Sequence, residues 1–179
     1  MKKILIINAS PRKNGNTITL ANAFMKGAEE AGHSVRRFDL ARMDLHPCMG
    51  CYGCQAGKGT SCVQKDGMQE IYDVWAEADT VVFASPIYWM DFTAQFAIFR
   101  DRLFAATALH PKKKEMVLLA AAASPENMIY PIFTQYYEYL LGVFQAVDRG
   151  RIIAGGCAMP GDIQKTDYLE QAYQLGKQI

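Results

Sequence analysis

The sequence lacks three features that would assign it to a specialised class of protein. Its net charge is only +1, so it has no electrostatic preference for nucleic acid or for an anionic membrane. It has no apolar run as long as a transmembrane helix, and no repeat or low-complexity tract. The apolar run Ile4–Ile7 is too short for a signal peptide and is interrupted by Asn8. We therefore expect a cytoplasmic protein without nucleic-acid or membrane partners.

Half of the 179 residues are hydrophobic, which is enough for one domain with a substantial core over residues 1–179. Short β-branched runs alternate with segments of helical apolar spacing, a pattern typical of an α/β fold whose parallel sheet is covered on both faces. Five such strands fit a flavodoxin-like doubly wound sheet of order 2-1-3-4-5. The predicted strands are 4–9, 34–40, 80–84, 116–123 and 151–154. The predicted helices begin at Thr17 and span 68–78, 93–105, 129–144 and 166–178.

The polar turn Ser10–Thr17 joins the first strand to the first helix. A helix N-terminus offers unpaired N–H groups and a partial positive charge, which suit a phosphate. Ser10, Asn16 and Thr17 add short side-chain donors, and the Arg12 guanidinium can form two bonds to phosphate oxygens. The turn therefore predicts a phosphate site, and an ordinary capped strand-to-helix turn is the alternative.

The third predicted strand ends in the turn Ser85–Met90, which contains Pro86, Tyr88 and Trp89. In the predicted sheet this turn lies beside Ser10–Thr17, because the carboxyl ends of the first and third strands meet at the ligand crevice. Two large aromatic side chains can flank a planar ring, or they can pack in the core under the loop. A phosphate site beside a planar-ring site predicts binding of flavin mononucleotide (FMN).

Four of the five cysteines lie within residues 41–66, a segment without a clear helical or strand period. A connection of this length in a compact domain is often functional. The spacing C-x2-C-x2-C-x7-C begins like the loops that bind a 4Fe–4S cluster. Structural zinc is a second interpretation, and a loop without metal is a third. The candidate ligands are Cys48, Cys51, Cys54 and Cys62.

Four other features of the sequence, two single residues, one pair and one short run, are interpreted as structural. Cys157 is isolated and is predicted to be a small core residue. Asp66 is predicted to cap the helix that begins at Met68. The pair Asp101–Arg102 is interpreted as a structural ion pair or a subunit contact. The basic run Lys112–Lys114 is predicted to be a solvated turn.

The ordered motifs of the chain resemble the NADPH-dependent FMN reductase family. These motifs are Ile6–Arg12, Asn14–Thr17, Ser85–Trp89 and Phe99–Arg102. With residues 41–66 added, which we call the cysteine segment, the chain resembles the iron–sulfur flavoprotein branch of that family over nearly its whole length. The resemblance implies that the FMN phosphate is bound by Ser10, Arg12, Asn14, Asn16 and Thr17. It also implies that the isoalloxazine is lined by Pro86, Ile87, Tyr88 and Trp89, and that Ser124 passes the same cofactor.

Three functions are compatible with these motifs. In the first, NAD(P)H gives a hydride to FMN and the flavin passes electrons to an acceptor. In the second, a cluster and a flavin carry electrons from a ferredoxin without nicotinamide turnover. In the third, the chain is a non-catalytic flavin- or zinc-binding module. No acid–base residue is assigned as catalytic, since the cofactor carries the chemistry. The resemblance further implies a homodimer or homotetramer with the flavin near a subunit boundary.

Overall fold

The computed structural model describes the whole chain except residues 57–61, 110–112, 126–127 and 129 and the side chains of 108 and 109. A five-stranded parallel sheet has the strand order 2-1-3-4-5. Its strands are β1 (Lys3–Asn8), β2 (Ser34–Asp39), β3 (Thr80–Pro86), β4 (Glu115–Ala121) and β5 (Val147–Ala154). The helices are α1 (Asn16–Glu30), α2 (Met68–Glu77), α3 (Ala94–Leu109), α4 (Pro131–Val143) and α5 (Tyr168–Lys177). The predicted flavodoxin-like α/β fold is confirmed.

The two faces of the sheet carry separate apolar cores. Side chains alternate between faces along a strand, so Leu5 and Ile7 of β1 pack with α2, α3 and α4. Ile4 and Ile6 pack on the opposite face with α1 and α5. Strand β3 is buried along its whole length, as expected for a central parallel strand covered on both faces. The loops that follow the strands are therefore carried on a rigid support.

Helices α1 and α5 cross at two glycines. A Cβ atom at Gly27 would lie 2.0 Å from the Tyr173 carbonyl oxygen, and one at Gly176 would lie 2.1 Å from the Phe24 carbonyl oxygen. No side chain can occupy those positions without moving a helix. The close crossing fixes α1 against α5 on one face of the sheet, and the N-terminus of α1 forms part of the candidate site.

Two sequence-based expectations need correction. Strand β5 begins at Val147, four residues before the predicted start, and its first three residues are exposed at the sheet edge, which leaves no apolar period to detect. Lys114 is 1% exposed rather than solvated. Its Nζ donates to the carbonyl oxygens of Trp75 at 2.7 Å and Ala78 at 2.9 Å. Carbonyls at a helix C-terminus attract a cation, and Lys112 lies outside the described residues.

Candidate functional site

One small pocket lies where the carboxyl ends of β1, β3 and β4 meet the loop after β5. Its volume is about 120 Å³. It is lined by Ser10, Arg12, Gly15, Asn16, Thr17, Pro86, Ile87, Tyr88, Ala121, Ala123, Cys157 and Ala158. The structure thus brings together the two loops that the predicted topology places side by side.

The N-terminus of α1 forms one wall of this pocket, and its first N–H groups have no side-chain cap. The first turn of the helix contains no acidic residue. A Cβ atom on Gly15 would lie 3.0 Å from the Arg12 Cβ and 3.3 Å from the Ser10 Oγ, so glycine allows the loop to fold this tightly. Uncapped N–H groups at the positive end of a helix are suited to an anion.

Three polar residues of the first loop differ in how far they reach into the pocket. Ser10 is 2% exposed, and its N–H donates to the Asn8 Oδ1 at 3.3 Å. Arg12 is exposed at the rim, where its Nη1 donates to the Ala158 carbonyl oxygen at 3.4 Å. Asn14 is exposed and is not among the residues that line the pocket. The pocket therefore has a buried hydroxyl inside and an exposed cation at its mouth.

The Asn16 side chain is occupied by the loop after β5. Its Nδ2 donates to the carbonyl oxygens of Cys157 at 3.0 Å and Met159 at 2.9 Å. Its Oδ1 accepts from the N–H groups of Gly161 at 3.0 Å and Ile163 at 3.4 Å. An amide has two donor hydrogens and two acceptor lone pairs, so these four bonds fill its capacity. Asn16 consequently builds the pocket wall with its side chain and offers an anion its backbone N–H.

Cys157 and Ala158 line the pocket but were not identified as site residues in the sequence. Cys157 is 6% exposed, so the prediction of a small buried residue is confirmed. Its Sγ donates to the Gly155 carbonyl oxygen at 3.3 Å. No local motif marks this loop, since its place in the pocket depends on contacts with Asn16 far away in the chain.

A tight turn follows β3. Tyr88 and Asp91 exchange backbone hydrogen bonds of 3.0 and 3.1 Å, and the central residues Trp89 and Met90 have φ angles of 49° and 65°. This left-handed turn is normally formed by glycine or asparagine, and it costs about 1 kcal/mol or more for each bulky residue. Trp89 is 98% exposed. Pro86, Ile87 and Tyr88 line the pocket and Trp89 does not.

The ends of β3 and β4 are fixed to the rest of the site by hydrogen bonds. The Ile87 N–H donates to the Ala121 carbonyl oxygen at 2.9 Å. The hydroxyl of Thr93, which is 1% exposed, donates to the Ala9 carbonyl oxygen at 2.9 Å. Thr93 was not identified from the sequence, because a buried threonine before a helix carries no specific signal. Ser124 is half-buried beside the pocket, and its carbonyl oxygen accepts from the Gly156 N–H at 2.7 Å.

A second cavity, of about 440 Å³, is formed by the cysteine segment and α3. Its lining includes all four clustered cysteines, together with Met49, Gly50, Tyr52, Gln64, Asp101 and Phe104. Cys48 and Cys51 are exposed, and Cys62 is buried. Among the described residues, no three ligating side chains are close enough to share one metal ion. The four thiols therefore share a cavity without forming a closed metal site.

The chemistry of this cavity fits an iron–sulfur cluster. The Gly50 N–H donates to the Cys48 Sγ at 3.4 Å, and the Gln55 Nε2 donates to the Cys54 Sγ at 3.7 Å. Gly50 and Tyr52 have left-handed φ angles of 66° and 56°, a conformation that curls backbone N–H groups around an anion. Four thiols, two of which accept N–H hydrogen bonds, suit a cluster whose sulfurs carry negative charge. Four thiolates also satisfy zinc.

The charged residues of α3 pair differently from the sequence-based interpretation. Arg102 pairs with Asp66 at 2.8 Å, and Asp101 pairs with Arg100 at 3.1 Å. Burial alone would raise the pKa of Asp66, but hydrogen bonds from Arg102 and two backbone N–H groups hold that pKa below its ordinary value. One of these N–H groups is that of Met68, the first residue of α2, at 3.1 Å, although the N-cap position is held by Gly67 and not by Asp66 as predicted. Asp101 and Arg102 are adjacent residues with separate partners.

A groove of about 410 Å³ lies at the opposite end of the sheet from the pocket, beside Lys3, Ser34, Arg36 and Glu77. It lies at the amino ends of the strands, where Lys3 and Glu77 form an exposed ion pair of 2.7 Å. None of the predicted site residues lines it. Lys3 and Arg36 at this groove are paired with Glu77 and Glu70, and the pocket predicted from the sequence lies at the carboxyl end of the sheet. None of the helices among the described residues is long and apolar enough to span a membrane.

Comparison with known proteins agrees with this geometry. A model of the NADPH-dependent FMN reductase family matches residues 2–129. An iron–sulfur flavoprotein of Archaeoglobus fulgidus is 32% identical over 183 residues, covering 100% of this chain and 79% of the relative. An iron–sulfur flavoprotein of Methanocaldococcus jannaschii is 31% identical over 187 residues, covering 99% of this chain and 95% of the relative.

Solved structures share the fold. An azoreductase from Bacillus anthracis superposes with a TM-score of 0.77 at 21% identity, covering 100% of both chains. An NAD(P)H:quinone oxidoreductase from Methanothermobacter marburgensis superposes with a TM-score of 0.74 at 21% identity, covering 98% of this chain and 96% of the other. At this identity the superpositions establish a common fold.

Proposed function

We propose an oxidoreductase function from the premise that this chain belongs to the NADPH-dependent FMN reductase family. FMN, when bound, would supply hydride chemistry, with NAD(P)H as the electron donor and a second molecule as the acceptor. The observation that carries the proposal is the pocket in which the uncapped N-terminus of α1 meets the turn after β3. A helix N-terminus beside a cleft at the carboxyl ends of parallel strands is suited to a phosphorylated ring compound.

The phosphate end of the proposed site combines backbone and side-chain donors. The N–H groups of Asn16 and Thr17 at the start of α1 would bind the phosphate, with the buried Ser10 and Thr17 hydroxyls beside them. The Arg12 guanidinium at the rim would close over the anion. Asn14, on the exposed side of the same loop, is proposed as an outer contact. These groups hold the cofactor and take no part in hydride transfer.

The ring end of the proposed site is formed by the turn after β3 and the loop after β4. Pro86, Ile87 and Tyr88 would line one side of the isoalloxazine, and Ser124 would lie near its edge. Trp89, at the exposed tip of the turn, would border the space in which a nicotinamide ring stacks on the flavin. The task of these residues is to hold two rings in contact and to exclude water from the reacting face.

The four cavity cysteines are proposed to hold a 4Fe–4S cluster. Their spacing, their shared cavity and the two N–H···S hydrogen bonds support this proposal, as do relatives that are named iron–sulfur flavoproteins. When bound, a cluster would supply single-electron transfer. An electron carrier that receives electrons from a ferredoxin is the second candidate function. It is favoured by the exposure of Cys48 and Cys51 beside the apolar side chains of Met49 and Tyr52.

A homodimer or homotetramer is also proposed. Tyr88, Trp89 and Met90 are 41%, 98% and 42% exposed beside the pocket mouth, and a cluster of exposed apolar side chains is typical of an interaction surface. Sedimentation velocity of the FMN-loaded protein would measure the assembly. A monomer at micromolar concentration would contradict this part of the proposal.

The deciding experiment is anaerobic purification followed by FMN titration and reduction. We expect an absorption spectrum with flavin and cluster bands, and bleaching of the flavin band by NADH or NADPH in a stopped-flow trace. Rapid reduction by a reduced ferredoxin but by neither nicotinamide would replace the reductase with the carrier. A parent protein that binds no FMN would contradict both candidates and leave a zinc-binding module to test by metal analysis.

A further inference from the structure

The cysteine segment ends at a buried ion pair between Asp66 and Arg102. Arg102 Nη1 lies 2.8 Å from Asp66 Oδ2, and Nη2 lies 3.0 Å from Oδ1, so the two groups form a two-bond fork. The side chains of Arg102 and Asp66 are 1% and 0% exposed. Arg102 lies on α3, the helix that also contributes Asp101 and Phe104 to the cysteine cavity. The pair therefore fastens the end of the segment to a wall of the cavity.

The same pair holds the beginning of the segment. Arg102 Nη1 donates to the His46 carbonyl oxygen at 2.8 Å, and Asp66 Oδ2 accepts from the His46 N–H at 2.9 Å. A backbone bond of 2.9 Å from the Gly67 N–H to the Asp44 carbonyl oxygen lies alongside. His46 and Asp66 are 20 positions apart, and all four cavity cysteines lie between them. The ion pair thus joins the two ends of the loop, together with the backbone bond from Gly67 to Asp44.

Between these two ends the described residues of the segment, 47–56 and 62–65, have little regular structure. Among its described residues, Gly53–Gln55 forms a short 3-10 turn. Closing a flexible loop costs conformational entropy, and the cost rises with loop length. Gln64 Nε2 adds a second link by donating to the Pro47 carbonyl oxygen at 3.0 Å. Gln69 Nε2 donates to the carbonyl oxygens of Cys62 at 3.3 Å and Gln64 at 2.8 Å, and Gln55 Nε2 donates to the Phe104 carbonyl oxygen at 2.9 Å. The closed shape of the segment therefore depends on side-chain contacts, among which the ion pair is the one that joins its two ends.

Overall stability does not by itself explain why the buried positions 66 and 102 carry an ion pair and not apolar side chains. Removing two charges from water is unfavourable, and apolar side chains of similar size often replace such a pair without loss of stability. Within the described residues the Arg102 Nε is also buried without a hydrogen-bond partner. Apolar side chains could not bind the N–H and carbonyl groups of His46. The polar pair is therefore specific in its contacts, because its hydrogen bonds determine that the backbone of His46 lies against Asp66 and Arg102.

We infer that Asp66 and Arg102 form a clamp that closes the cysteine segment before any metal group binds and that holds Cys62 in its buried place. Cys62 is 8% exposed, whereas Cys48 and Cys51 are exposed. The clamped side of the cavity is thus preformed, and Cys48 and Cys51 on the exposed side would complete the coordination of a metal group. Asp66 and Arg102 are positioning residues that act through the backbone of the segment. The inference rests on the proposed cluster only for its iron readout.

The test measures how fast iodoacetamide labels each cysteine of the full-length, reduced, chelator-treated apoprotein. The double variant Asp66→Leu/Arg102→Met removes the clamp without leaving a single buried charge. Peptide mass spectrometry measures the labelling rate of each cysteine. We expect Cys62 of the double variant to be labelled about tenfold faster than Cys62 of the parent, since the segment opens locally. Labelling of Cys157 should change by less than about twofold, since that thiol lies outside the segment, in the wall of the other pocket.

Two further variants separate the clamp from general destabilisation. Arg102→Lys keeps the charge but cannot form the fork, so Cys62 should label at a rate between those of the parent and the double variant. Lys114→Met removes a buried cation that binds backbone carbonyls elsewhere. It should leave the ratio of Cys62 to Cys157 labelling unchanged. If the double variant does not fold, Arg102→Lys decides the test.

Reconstitution with ferrous iron and sulfide provides the second readout. We expect the double variant to retain several-fold less iron per chain than the parent, with FMN affinity unchanged. Equal Cys62 labelling in the parent and in folded clamp variants would overturn the inference. So would a parallel rise of Cys62 and Cys157 labelling, which would indicate a loss of overall stability. If the parent takes up no iron, the proposed cluster fails while the labelling still decides the clamp.

Discussion

The pocket at the end of the sheet and the cysteine cavity are held together in different ways. The pocket is framed by strand ends whose positions are fixed by backbone hydrogen bonds from β1 to β5. The cysteine cavity is framed by an irregular segment that is closed by the Asp66–Arg102 pair. A backbone-framed site changes gradually when one side chain is lost. A site closed by a few buried side chains loses its geometry when one of them is removed.

The largest effect is expected from removing one thiol of the cavity. Cys51→Ser should lose most of the iron and sulfide of anaerobically reconstituted protein, because a cluster held by four thiolates tolerates a missing ligand poorly. FMN affinity should stay unchanged, since Cys51 does not line the pocket proposed for the flavin. Colorimetric iron and sulfide assays measure the loss. Cys157→Ala is the matched control and should retain its iron. Zinc in place of iron in the parent would decide for a structural site.

The next effect is expected from the residue that joins the pocket wall to α1. Asn16→Ala removes four hydrogen bonds to the loop Cys157–Ile163 and leaves buried backbone groups without partners, each at a cost of about 1–3 kcal/mol. We expect weaker FMN binding together with faster hydrogen exchange in residues 157–163 of the apoprotein. Asn22→Ala, at an exposed position of the same helix, is the control. Weaker FMN binding with unchanged exchange would indicate that the Asn16 side chain contacts the phosphate directly.

A smaller, graded effect is expected at the rim of the pocket. Arg12→Ala should weaken FMN binding by about tenfold or more, since a charge-assisted hydrogen bond contributes about 1.5–3 kcal/mol. The fold should be unaffected, because Arg12 is exposed. Isothermal titration measures the affinity, and Lys13→Ala is a control with the same change of charge on the same loop. Equal affinities for the parent and for Arg12→Ala would remove Arg12 from the site.

The smallest effect is expected at the left-handed turn after β3. Trp89→Gly should raise the free energy of unfolding by up to about 1 kcal/mol, since glycine adopts a positive φ without strain. Trp89→Ala keeps the strained Cβ and should show no such gain. Both variants should slow flavin reduction by NAD(P)H, because both lack the indole ring. Urea denaturation and stopped-flow absorbance separate the backbone effect from the ring effect. Unchanged reduction rates in both variants would exclude Trp89 from the stacking space.

Local sequence patterns were sufficient for the architecture and for the neighbouring placement of the loops that form the candidate pocket. The apolar period of each segment reports helix or strand, because it reflects neighbours within four residues. The alternation of the two implies a parallel sheet, and its strand order places Ser10–Thr17 beside Ser85–Met90. The cysteine spacing is equally local. The predicted fold and the placement of the two turns hold because they depend on residues that are close together in the chain or on a topology shared by many proteins.

Only the tertiary structure determined which groups are the hydrogen-bond and ion-pair partners of the buried polar side chains. Asn16 binds carbonyl and N–H groups more than 140 positions away, and Arg102 pairs with Asp66, 36 positions away, instead of its neighbour Asp101. Lys114 is buried against the end of α2, although a basic run normally faces solvent. A buried polar group must find a partner within hydrogen-bond distance. Packing determines which groups come that close, and no local spacing in the sequence records it.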